Sequence, residues 1–138
     1  MNTIYEQLQK LPYFADLPQR LLLRVCTASE QLHASPGEVI IEEGSMSDGL
    51  YVVTDGELEV TKMSAGRSIS LARVTAGAVL GEISLLDDVP RIATVTALTE
   101  VDYIKVPSDT VTELLDNPQM VLRMLRTVTS RLRETEGL

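Results

Sequence analysis

The chain has 138 residues and a net charge of −8, with aromatics at 4% and no tryptophan, so any core must be built from Leu, Val and Ile. The charge is uneven: residues 1–116 carry eight basic and 18 acidic side chains (−10), residues 117–138 four arginines and two glutamates (+2). So acidic a body is a poor general binder of phosphate backbones, and a bound phosphate would have to be held by local design. One cysteine, Cys26, excludes an intramolecular disulfide and a thiolate cluster, and no apolar run approaches the roughly 20 residues of a membrane span.

In chain order, Asn2 to Gln9 reads as a short helix with Ile4 and Leu8 on one face, ended by Pro12. Asp16-Leu17-Pro18 starts a second, with a carboxylate cap and an early proline, and Leu21, Leu22, Val25 and Cys26 follow at helical spacing. From Gln31 the texture becomes short apolar segments between turn residues. Strands are predicted at Gln31–Ala34, Val39–Glu42, Leu50–Thr54, Leu58–Lys62, Ser68–Val74, Thr94–Ala97 and Asp102–Val106. Asp55-Gly56, between Tyr51-Val52-Val53 and Leu58-Glu59-Val60, is a hairpin signal. After Pro107 the helical period returns: Ser108-Asp109 starts a helix through Leu114-Leu115, and Asn117-Pro118 caps a longer one. Val121, Met124 or Leu125, Val128 and Leu132 line one face of the latter. The expected fold class is mainly β with flanking helices: a β-roll over residues 31–107, N-terminal helices over 1–30 and a C-terminal helix pair over 108–138, in one cytoplasmic domain.

The chemistry concentrates in Val79 to Val95, V-L-G-E-I-S-L-L-D-D-V-P-R-I-A-T-V. A glycine and a carboxylate open a short apolar turn, an acidic tip follows, and Arg91 stands nine positions after Glu82. Elsewhere the candidates are weak. His33, the one histidine, belongs on a strand surface or in the core, and neither a His/Asp metal cluster nor a Ser–His–Asp array can be assembled from it. Cys26 reads as core.

The segment resembles the phosphate-binding cassette of cyclic nucleotide-binding domains, whose signature runs G-E-x-[A/S]-L, a short gap, then R-x-A-T/S-V. Ile40-Ile41-Glu42-Glu43-Gly44, Leu50-Tyr51-Val52-Val53 and Gly56 resemble that family's first signature, with Ser45 and Ser47 as turn departures of little expected consequence. The resemblance covers essentially the whole chain. It implies a β-roll jelly roll and a non-enzymatic sensor. Glu82 would accept from a ribose 2′-hydroxyl and Arg91 would donate two parallel bonds to the cyclic phosphate. Gly81 would allow close backbone approach. A helical turn through Ile83 and Ser84 would aim N–H groups at the phosphate, joined by the amide near Ile92 or Ala93.

Arg91 has a second reading, a surface pair with Asp87 or Asp88. In cGMP-selective relatives a hydroxyl residue often follows the arginine; Ile92 has none, so the ligand expected is cAMP, with cGMP second. Thr135 on the last helix is expected over the base, with Leu132 or Arg131 as the alternatives. No further cofactor or metal is implied. The expected partners are the nucleotide and, through the last helix, a second copy, with no nucleic acid or membrane contact. Two alternatives stand beside this: the sensor part of a transcription regulator lacking its helix-turn-helix, and a ligand-free roll used for protein contact.

Overall fold

The computed structural model describes residues 3–15, 17–82, 84 and 88–136, without the side chains of Tyr13, Thr127, Arg131, Leu132, Glu134, Thr135 and Glu136. Three helices, α1 (Ile4–Gln9), α2 (Pro12–Ala15) and α3 (Gln19–Ala28), precede eight strands. These are β1 (Glu30–Ala34), β2 (Val39–Ile41), β3 (Gly49–Asp55), β4 (Leu58–Ser64), β5 (Arg67–Val74), β6 (Val79–Leu80), β7 (Thr94–Ala97) and β8 (Val101–Pro107). Two helices close the chain, α4 (Ser108–Leu114) and α5 (Pro118–Glu136). The fold is mainly β with flanking helices, and the strands form two antiparallel sheets, ordered β1-β8-β3-β6 and β2-β7-β4-β5.

The run Leu50 to Val53 has no polar break because both faces of β3 are covered. Leu50 and Val52 join Ile104 and Val106 of β8 in a cluster with Leu8, Phe14, Val25, Leu114, Met120 and Met124 from the helices. Tyr51 and Val53 point the other way, into the roll, with Leu58, Leu80, Val95, Ala97, Val101 and Tyr103. A one-residue slip of β3 would exchange the two sets, so its register is strongly specified.

One local expectation is corrected. Asp55-Gly56 does not close a hairpin, because β3 and β4 lie in different sheets and are not bonded neighbours. Gly56 turns the chain from one sheet to the other at φ +101°, and a side chain there would strike the backbone of Glu100 and Val101. The dipeptide suits a tight turn but does not say which sheet receives the next strand. The first helix stops at Gln9, ahead of Pro12 as read, and Pro12 itself opens α2. Pro18 is the N-cap of α3 and supplies no side-chain bond; Asp16 lies outside the described residues. The true hairpin of the roll is β4–β5, whose turn places both Ala65 and Gly66 at positive φ.

The Asn117 cap holds as read. Its Oδ1 accepts from the amides of Gln119 (3.0 Å) and Met120 (3.1 Å). The buried face of α5 carries Met120 and Met124, whereas Leu125 is 54% exposed and Val121 and Val128 are half-buried. Met124, one of the two alternatives read for the stripe, is buried with Met120 where the first turns pack on α2, leaving Leu122 and Leu125 exposed.

His33 lies on the strand surface. It stands opposite Asp102 in the β1–β8 register, its Nδ1 is 2.8 Å from Asp102 Oδ1, and its Nε2 meets Glu100. The bond to Asp102, then that to Glu100, raises the His33 pKa above its ordinary value. A raised folded pKa means that protonated His33 contributes fully below the unfolded value, about 6.5, and that this is lost as pH rises through the folded value. His33→Gln is expected to melt below the parent near pH 6, with the gap closing by about pH 9. An equal gap at both pH values, measured by thermal melts, would show that the ion pairs add nothing.

Candidate functional site

The site is assembled where β6 ends. This two-residue strand pairs with β3, Leu80 opposite Tyr51, and delivers Gly81 and Glu82 to the mouth of the roll. Sequence reading missed it because two residues carry no period. Gly81 has φ +93°, and any Cβ there would strike Arg91 Nη1. The glycine is thus required twice, for its backbone angle and for the passage of the guanidinium. Glu82 and Ser84 both have helical backbone and are buried, Glu82 completely and Ser84 at 4% exposure. Ile83, Leu85 and Leu86 lie outside the described residues.

Arg91 is 4% exposed, which removes the surface-pair reading with Asp87 or Asp88. Its backbone is held at both sides by the β2–β3 turn. Arg91 N donates to Ser45 O (2.7 Å), and Arg91 O accepts from Gly44 N (2.8 Å). Its side chain runs inward. Nη1 donates to Gly81 O (3.3 Å), and Nη2 donates to Gly49 O (3.1 Å) and Asp48 Oδ1 (3.1 Å). The guanidinium lies over the Tyr51 ring, 5.4 Å from its centroid, and Tyr51 stacks on Tyr103 with centroids 5.8 Å apart.

Asp48 is the hub that sequence reading passed over. Beside Arg91 it accepts from Tyr51 OH (3.0 Å) and pairs with Lys105 Nζ (2.8 Å). Partial burial alone would raise its pKa, but the bonds from Lys105, Tyr51 and Arg91 outweigh this and hold it below the ordinary carboxylate value. Burial, then Asp48, pushes Tyr51 up to about 12, so the phenol stays protonated and donates. The available signal was a carboxylate just ahead of a buried strand.

The remaining candidates separate into two groups. Ala93 is half-buried and Ile92 is 48% exposed. The Ile92 carbonyl accepts from Lys62 Nζ (3.2 Å), which brings a second cation from β4 to the end of the segment. Leu132 and Thr135 lie in α5, and their side chains are outside the description. A cavity of about 300 Å³ adjoins the network, lined by Ile41, Met46, Asp48, Tyr51 and Arg91 among others. Of the described cassette residues, Arg91 is the one that reaches it.

With a buried Glu82 after Gly81, a buried arginine nine positions on, and a two-sheet roll around them, residues 31–117 match the model of the cyclic nucleotide-binding domain. The chain belongs to the cyclic nucleotide-binding domain family. This domain is 36% identical over 108 residues to a cAMP-dependent protein kinase regulatory subunit of Yarrowia lipolytica, covering 78% of this chain and 28% of that one. It is 33% identical over 98 residues to a cGMP-dependent protein kinase of Caenorhabditis briggsae, covering 71% and 13%. Among solved structures, the N-terminal domain of a transcriptional regulator from Streptomyces coelicolor is 34% identical, with a TM-score of 0.71 over 95% of this domain and 93% of that chain. The domain therefore spans less than a third of the length of these two curated relatives. Among the described residues, no helix is long and apolar enough to cross a membrane.

Proposed function

We propose that these 138 residues form one non-enzymatic, cytoplasmic regulatory unit that binds a cyclic nucleotide, cAMP in preference to cGMP. The observation that carries the reading is a buried Glu82 directly after Gly81, with the buried guanidinium of Arg91 passing over that glycine. Glu82 takes the ribose 2′-hydroxyl, Arg91 the cyclic phosphate, and the amides of Ser84 and Ala93 complete the anion cradle. Leu132 and Thr135 of α5 lie over the base, so that ligand draws the end of this helix toward the roll. No other cofactor takes part. The half-exposed stripe of Val121, Leu125 and Val128 supports pairing with a second copy. The charge of −10 on residues 1–116 speaks against direct nucleic-acid contact.

The test is thermal melting with cAMP and with cGMP. A ligand that binds only the folded state adds about 2.7 kcal/mol at a hundredfold excess over its Kd, on the order of 5–10 °C here. No shift with either nucleotide at millimolar concentration would replace this reading with that of a ligand-free roll used for protein contact. A second reading is favoured by the likeness to the Streptomyces coelicolor domain, which covers nearly all of both chains: the unit is the sensor part of a transcription regulator.

Purine choice is tested at residue 92. Ile92 is half exposed and offers no hydroxyl. Ile92→Thr supplies a partner for the exocyclic amine of guanine, and one neutral hydrogen bond is worth about 0.5–1.5 kcal/mol. Titrating both nucleotides into both proteins is expected to move the cGMP-to-cAMP ratio roughly two- to tenfold toward cGMP. An unchanged ratio would assign selectivity to α5.

A further inference from the structure

One carboxylate serves three donors at the base of the site. Asp48 Oδ1 accepts from Arg91 Nη2 (3.1 Å) and Tyr51 OH (3.0 Å), while Oδ2 pairs with Lys105 Nζ (2.8 Å). Lys105 reaches it because β8 sets it directly opposite Tyr51, on the side of the strand that faces into the roll. The neighbouring titratable groups are Tyr103, stacked on Tyr51, and Glu38, which acts on Tyr103.

The charge balance is the consequence. With Lys105 the cluster holds two cations and one anion, so one positive charge is left over. Without it, Asp48 and Arg91 would cancel. That cancellation matters because the Arg91 side chain is 3% exposed, and a neighbouring charge acts more strongly where water is excluded.

We propose that Lys105 is a positioning residue for the ligand-binding arginine: by sharing the Asp48 carboxylate it limits the hold of Asp48 on Arg91 and leaves the charge of Arg91 available to an anionic ligand. This rests on the reading that Arg91 receives the cyclic phosphate. Lys105 touches no ligand itself and acts through Asp48. Of the bonded neighbours, it does most to hold the Asp48 pKa down.

The experiment is a double-mutant cycle read by calorimetry with cAMP and cGMP, using the parent, Lys105→Gln, Lys105→Arg, Asp48→Asn and the Asp48→Asn/Lys105→Gln pair. Lys105→Gln is expected to weaken binding about three- to fivefold, as suits a pair with one partly exposed partner. Lys105→Arg is expected to retain the parent affinity. In the Asp48→Asn background, Lys105→Gln is expected to change affinity by less than about twofold. Parent-like binding by Lys105→Gln would overturn the proposal. So would an equal loss in the Asp48→Asn background, which would show direct attraction or a fold effect.

A second readout needs no ligand: in the free protein, the Asp48 carboxyl followed by carbon NMR is expected to titrate at higher pH in Lys105→Gln than in the parent. An unchanged Asp48 midpoint overturns the link to Lys105. A parent that binds neither nucleotide overturns the functional reading instead, and the NMR comparison still decides whether Lys105 governs Asp48.

Discussion

Arg91→Lys is expected to bind the cyclic nucleotide ten- to a hundredfold more weakly than the parent, because lysine keeps the charge and loses the paired donors of the guanidinium, and charge-assisted bonds carry roughly 1.5–3 kcal/mol. From the sequence alone, the ligand-free melting point would be expected to hold. The geometry says otherwise. The arginine side chain is buried and satisfies Gly49 O, Gly81 O and Asp48 at once. One ammonium cannot reproduce that fork, and a buried acceptor left open costs about 1–3 kcal/mol. Calorimetry and ligand-free urea melts separate the two losses. An undiminished affinity would remove Arg91 from the phosphate site; an undiminished midpoint would mean that lysine reaches the same acceptors.

Gly81→Ala is the second large effect. At φ +93° an alanine is strained by roughly 1–3 kcal/mol, and its Cβ would displace the Arg91 guanidinium. The expected result is a clear loss of stability together with ligand binding as poor as that of the Arg91 variant. Gly66→Ala is the control. It sits at φ +79° in the β4–β5 turn with nothing near its missing Cβ, so it carries backbone strain without a clash. It should lose stability and keep its ligand. If Gly81→Ala also keeps its ligand, the arginine finds its place without that opening.

The parts legible in the sequence are those written in neighbouring residues. Leu50 to Val53 read as a strand and Asn117-Pro118 as a helix cap, as the structure has them, and Gly81, Glu82 and Arg91 read as one group, which the fold brings together at the end of β6. The missed parts depend on residues that meet only after folding. Asp48 and Lys105 are far apart along the chain and join through the β3–β8 register. Asp55-Gly56 has the local form of a hairpin, but sheet membership is set by what β8 and β7 offer to β3 and β4. In α5 the apolar residues outnumber the places under them, so the period showed an amphipathic helix without showing which side would be covered. Met120 was missed for that reason.

That covered side fixes where α5 is able to move. Met120 and Met124 share their cluster with Leu8, Phe14 and Leu17, contributed by the opposite end of the chain. A pendulum hung at Asn117 would drag both methionines into water, at about 1.5–3 kcal/mol for each side chain. The first turns of the helix are therefore held in the same apolar cluster as α1 and α2, and the ligand-driven movement proposed for this helix would have to begin beyond Met124. Trimming the residues ahead of Pro18 would uncover both methionines and loosen the anchorage of α5.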